Sequence, residues 1–262
     1  MPNQPTRCAA HKPTVGLFVT CLIDAMRPEI GFSVLKLLEE AGCEVVVPSA
    51  QTCCGQPGFN SGDHAAGATL ARQFLAQFEA FDYVVVPSGS CGSMLKTHSP
   101  ELFPNEPELT QRLQALAGRT YELTDFLASV LQVKTVPACA NSQPNATVTY
   151  HDSCSGLREL GVQAQPRGLL ALVPELKLTE MKDCRACCGF GGTFAVKYGD
   201  ISSAIVDEKI TNIQATGADA VVLGDLGCML NIEGRLRRLG DEKTQVLHVA
   251  QVLAGDAPNV GV

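Results

Sequence analysis

The chain has 262 residues, 45% of them apolar and 18% charged, so it can bury a sizeable core and wholesale disorder is excluded. A net charge of −7, no tryptophan, 5% aromatic residues and no basic run exclude a nucleic-acid surface of either the electrostatic or the stacking kind. No apolar stretch reaches the roughly 18–20 residues of a membrane span, and the polar opening MPNQPTRCAAHKPT lacks a secretory core. A cytoplasmic protein without membrane insertion is expected, and in a reducing compartment twelve cysteines point to metal or redox chemistry rather than disulfides.

In chain order, the Val-rich run at 15–19 (VGLFV) predicts a strand, and the apolar pattern at 30–42, stopping at Gly42, predicts a helix. A second strand is expected at 43–47 (CEVVV), a helix over 63–81 and a third strand at 83–87 (YVVVP). Residues 134–145, with Pro137, Asn141, Ser142, Pro144 and Asn145, read as a linker. The cycle then restarts: strands at 147–150, 176–181 and 219–223 (DAVVL), with a helix over 201–217. Short Val-rich strands alternating with helices indicate α/β units on parallel sheets buried on both faces. Arg235, Arg237 and Arg238 belong to a solvated helix face near Glu233 and Asp241.

The cysteines repeat with the elements. Cys53-Cys54-Gly55 recurs as Cys187-Cys188-Gly189 at an offset of 134 residues, Cys21 as Cys154 at 133, and Cys91 as Cys228 at 137. Four matched positions at near-constant separation make this a tandem duplication, with domains at 14–133 and 146–256 related by a pseudo-twofold axis. The lone cysteines follow strand ends, and the pairs lie in glycine-rich loops (Gly55, Gly58, Gly62; Gly189, Gly191, Gly192). Ligands of open α/β sheets gather at the carboxyl ends of strands, where backbone N–H groups favour thiolates. Cys21, Cys53, Cys54 and Cys91, and likewise Cys154, Cys187, Cys188 and Cys228, are therefore predicted to converge as two ligand sets. The Gly-Phe-Gly-Gly run at 189–192 lacks the spacing of a dinucleotide fingerprint.

Other candidates have competing readings. Cys184 forms Cys184-x-x-Cys187 and is a fifth ligand or a resolving thiol, although the first half has Ala50 near that place. Cys43 belongs to core packing, and Cys8 and Cys139 are incidental. His151, three residues before Cys154, tunes a cluster or passes a proton, or is a histidine hydrogen-bonded at a strand end. Asp225 is an oxygen ligand or a helix N-cap. Arg158, Arg185 and Lys197 balance cluster charge, meet a carboxylate substrate, or are exposed solubilising charge. Four thiolates suit zinc as well as iron–sulfur clusters, but structural zinc sites draw on close knuckles rather than ligands thirty residues apart. No Ser/His/Asp or paired-carboxylate arrangement stands out. The chain therefore holds a whole active site only if substrate binds at a cluster.

A Cys, some thirty residues, Cys-Cys-Gly and a further Cys, all twice, resembles the cysteine-rich CCG-domain family, and within it the lactate-utilisation branch. Carrying the likeness are Phe18-Val19-Thr20-Cys21-Leu22, Gln51-Thr52-Cys53-Cys54-Gly55-Gln56-Pro57, Pro87-Ser88-Gly89-Ser90-Cys91, Cys187-Cys188-Gly189-Phe190-Gly191-Gly192-Thr193-Phe194 and Gly227-Cys228-Met229-Leu230-Asn231-Ile232. The resemblance implies an iron–sulfur electron-transfer subunit with one cluster, of [4Fe–4S] type, per domain. It also implies oxidation of L-lactate, or a related small 2-hydroxy acid, to pyruvate with partner subunits that include a second iron–sulfur protein. In heterodisulfide reductases of this family each motif closes with Cys-x-x-Cys; here Ser88 and Asp225 stand at the first cysteine of that pair. Disulfide reduction at such a cluster and a non-catalytic zinc-stabilised interaction module are the alternatives.

Overall fold

The computed structural model describes residues 12–140 and 146–257. Cys8, the side chain of Cys139 and linker residues 141–145 lie outside the described part. Among the described residues eight strands form two sheets. In the first, β1 (Thr14–Leu17), β2 (Glu44–Val46), β3 (Tyr83–Val86) and β4 (Thr120–Glu122) are all parallel in the order β2-β1-β3-β4. In the second, β5 (Thr147–Tyr150), β6 (Lys177–Leu178), β7 (Ala220–Leu223) and β8 (Gln245–His248) repeat that order as β6-β5-β7-β8. Identical strand order in the two halves is what a tandem duplication produces.

The central strands owe their place to valine. Val84, Val85 and Val86 of β3 and Val221 and Val222 of β7 are fully buried, as β-branched side chains covered on both faces of a parallel sheet should be. The helix predicted over 30–42 spans Pro28–Glu40, with proline pre-set in its first turn, and Gly42 turns the chain at φ 91°. Asp63 caps the helix His64–Phe78, its Oδ1 accepting from Ala66 N at 2.9 Å. The expected 201–217 helix is Gly199–Gln214. Strands β4 (TYE) and β8 (QVLH) were not foreseen, because three or four mixed residues carry no periodicity.

The halves meet through reciprocal contacts. Helix Pro28–Glu40 packs on Val249–Ala254, and its counterpart Ala164–Leu170 packs on Leu123–Asp125 and the turn after it. Helix Gly89–Ser93 packs on Cys154–Arg158, and Leu226–Arg238 packs on Cys21–Met26. Glu122 and His248, the last residues of β4 and β8, both cap the helix that follows and both reach across. His248 Nε2 lies 3.2 Å from Pro87 O, while a methyl at Gly224, the equivalent of Pro87, would sit 3.4 Å from Glu122 Oε1. One apolar core runs through both halves, from Val34 and Leu37 through Phe126 and Leu170 to Val249 and Leu253. A second cluster, with Phe18, Phe74 and Phe78, covers the other face of the first sheet.

Closest approach is at two glycines. A Cβ on Gly89 would meet Ser153 Oγ at 2.5 Å and Gly156 Cα at 2.9 Å, and Gly89 N donates to Gly224 O at 3.2 Å. Gly89→Ala must push the helix carrying Cys91 off the helix that begins at Cys154, an overpacking cost on the order of 1–3 kcal/mol. A lowered urea midpoint with an unchanged slope is the expected result; an unchanged midpoint would show that the halves do not pack here.

Candidate metal centres

Each cysteine set is assembled by the same local rules. Cys21 and Cys154 open short helices at the ends of β1 and β5, and Cys91 and Cys228 lie in the helices after β3 and β7. The Cys-Cys pairs sit in loops beyond β2 and β6. In the first loop Gln51 acts as a clamp: its Oε1 accepts from Val19 N at 2.9 Å and its Nε2 donates to Pro48 O at 3.1 Å. The glycine after each pair has a definite task. Gly55 at φ 92° turns its N–H back to Cys53 Sγ at 3.5 Å, and Gly189 at φ 85° does so to Cys187 Sγ at 3.3 Å. A Cβ on Gly189 would also lie 2.7 Å from Ser202 O, so no other residue fits. Thr20, β-branched and buried at φ 77°, stores backbone strain directly before Cys21.

The predicted thiols converge in both halves. Cys53 is hydrogen-bonded to Cys21 and Cys54, and Cys54 Sγ lies 3.3 Å from Cys91 Sγ. Cys187 is bonded to Cys154 and Cys188, and Cys188 to Cys228. Hydrogen bonds from the Cys21 and Cys54 thiols, with help from the Gly55 amide, hold Cys53 far below the usual thiol range. Those from Cys154 and Cys188, helped by Gly189, do the same for Cys187. The partners move the other way: Cys54 and Cys188 are raised, first by the neighbouring cysteine and then by burial. Cys53 and Cys187 are thus the cysteines of their sets that give up a proton most readily to a soft cation.

Other candidates separate cleanly. Cys184 turns to Asp152 and is outside both sets; burial, then that carboxylate, raises its pKa. Cys43 is buried in the core, as expected. Arg158, Arg185 and Lys197 are exposed, and Arg185 reaches Gln163 Oε1 at 3.1 Å. Arg235 and Arg237 lie in the last turn of Leu226–Arg238, where Arg235 pairs with Asp207 at 2.6 Å, and Glu233 pairs across the halves with Arg27 at 2.7 Å. Asp225 is an N-cap: Oδ1 accepts from Gly227 N at 3.1 Å and Oδ2 from Ser90 N at 2.8 Å and Ser88 Oγ at 3.1 Å. Ser88 and Asp225, the two positions without the closing cysteine, thus bond to each other between the halves.

Two residues give the second site a different floor. His151 N donates to Val222 O at 3.0 Å, as Phe18 N does to Val85 O at 2.9 Å, so these residues are equivalent. His151 is completely buried, yet among the described residues neither ring nitrogen has a hydrogen-bond partner, against the expectation of a histidine bonded at a strand end. One of its nitrogens and the Sγ atoms of Cys188 and Cys228 lie within 4.8 Å of one another. Burial, reinforced by Lys209, pushes its pKa down to about 3, so the ring is neutral. Lys209, which sequence reasoning missed, is also buried; its Nζ donates to Asp183 O at 2.6 Å and Cys184 O at 3.3 Å. In the first half the matching helix position is Phe74, edge-on to Phe18 with ring centroids 5.9 Å apart. Thiolates beside an open imidazole form a soft donor set that fits an iron–sulfur cluster or zinc.

A cavity of about 270 Å³ opens beside the first set, between the halves, lined by Cys21, Cys53, Cys54 and Cys91 on one side and Phe190 and Val196 on the other. Among the described residues no Lys, Arg or His lines it.

Comparison with known proteins agrees with this geometry. The profile of the cysteine-rich domain CCG matches residues 15–96 and again 148–233. Lactate utilization protein A of Geobacillus kaustophilus (strain HTA426) is 47% identical over 239 residues, covering 91% of this chain and 98% of its own. Lactate utilization protein A 2 of Bacillus cereus (strain Q1) is 45% identical over 92% of this chain and 97% of its own. In fold alone, the crystal structure of a hypothetical protein from Helicobacter pylori is similar over 98% of this chain, with a TM-score of 0.64 at 15% identity. This chain spans half of that one. With both halves matched and the likeness to curated relatives running nearly end to end, the chain belongs to the cysteine-rich CCG-domain family.

Proposed function

We propose that the chain is an iron–sulfur electron-transfer subunit in lactate utilisation, each cysteine set holding one [4Fe–4S] cluster. Its partners would be the other subunits of a complex that oxidises L-lactate, or a related 2-hydroxy acid, to pyruvate, one of them a second iron–sulfur protein. The convergence of four thiols in each half carries this reading, and the relatives' names supply the pathway. Cys21, Cys53, Cys54 and Cys91 border a cavity of about 270 Å³, which gives room for an inorganic core beside the thiols. When bound, the cluster supplies one-electron transfer; the protein supplies the rest. Gly55 and Gly189 amides offset thiolate charge, and Phe190 and Val196 of the second half line the approach to the first site. Among the described residues no helix is long and apolar enough to cross a membrane, which is consistent with a cytoplasmic subunit.

Lactate oxidation removes two electrons and two protons, and its carboxylate needs a cationic anchor. The cavity offers none, so substrate is expected to bind on a partner subunit. The chain alone, anaerobically purified and given an artificial acceptor, should not turn over L-lactate; measurable turnover would place an active site here. Iron and acid-labile sulfide analysis with EPR tests the cofactor, and zinc without iron or sulfide would overturn the redox reading.

A further inference from the structure

The two cysteine sets share a frame but not a lining, and the difference has a chemical consequence. We infer that the imidazole of His151 is a direct ligand of the second metal centre, making it a mixed thiolate–imidazole site beside an all-thiolate first site. This rests on the reading of each cysteine set as a metal centre.

Three observations converge. His151 is wholly buried and both its nitrogens lack a partner among the described residues, which is costly for a polar ring unless something else satisfies it. A nitrogen of the ring lies within 4.8 Å of the Cys188 and Cys228 sulfurs, a spacing that one metal or one small cluster bridges. The first half has Phe18 at the same strand end, with the same backbone hydrogen bond to the neighbouring strand, so the fold does not require a histidine there. Asp225 is not the extra donor in this half, because both its oxygens are spent on Ser88, Ser90 and Gly227.

Beneath this site Lys209 takes the place of Phe74. Its ammonium group is held by the Asp183 and Cys184 carbonyls in the wall of the second set. A buried cation beside the centre stabilises its more negative, reduced state. The second centre is therefore the first to be reduced, and electrons entering at the first centre run downhill to it.

The test uses full-length Cys54→Ser protein, purified anaerobically and reconstituted with ferrous iron and sulfide, so that only the second centre remains. X-ray absorption at the edge of the bound metal should show sulfur ligands plus one imidazole nitrogen, and His151→Phe in that background should remove the nitrogen. Pulsed EPR of protein labelled with 15N-histidine is the second measurement, and it needs no variant at position 151. An all-sulfur shell, or a nitrogen signal that survives His151→Phe, overturns the assignment. Zinc with one imidazole would sink the cluster but keep the ligand; no bound metal would end both.

Discussion

Cys54→Ser and Cys188→Ser are each expected to remove about half of the iron and acid-labile sulfide from the anaerobically purified protein. Both side chains are at most 3% exposed and lie at the junction of their sets, Cys54 between Cys53 and Cys91 and Cys188 between Cys187 and Cys228. Serine keeps the shape, but its hydroxyl does not ionise as a thiol does and makes a poor ligand for iron. The effect should be confined to one half, because no thiol is shared between the sets. Cys43→Ala is the control: that sulfur is buried in the core beside β2, away from both sets, and iron content should hold. Equal iron in all three variants would remove the ligand assignment.

Glu122→Gln should stabilise the protein at pH 8 by on the order of 3 kcal/mol and leave it unchanged at pH 4. Glu122 is buried where β4 meets the second half, its Oε2 accepting from Thr124 N at 2.7 Å and Asp125 N at 3.2 Å. Burial raises its pKa from 4.5 to about 7, against the pull of those donors. A carboxyl that holds its proton longer folded than unfolded binds more protons in the native state between those values, so stability falls as pH rises from about 4.5 to 7. Glutamine keeps an accepting oxygen for the two amides and has no charge to bury. Comparing variant and parent at each pH cancels every other titrating group. A gap that shrinks as pH rises would contradict a carboxyl kept neutral by burial.

The legible part of this protein was its repeated grammar. Valine runs before each cysteine, glycines after each pair and four matched offsets revealed strands, turns and a duplication, because those signals are local and periodic. The eight thiols could be grouped without coordinates, since chain order already put each one after a strand end. Edge strands β4 and β8 escaped, being too short to show a period. Asp225 as a cap could be suspected from its place after β7, but its bond to Ser88, 137 residues away, could not.

By itself the sequence determined which residues recur, and hence the parallel α/β halves, the paired thiol sets and the family. Tertiary structure alone decided that the halves are chemically unequal. Phe18 and Phe74 against His151 and Lys209 look like ordinary variation in a linear chain; they become a dry floor and a polar one only when strand end and helix are folded together. The reason is that burial and the loss of water partners are properties of packing, and those are what give an imidazole or an ammonium its chemistry.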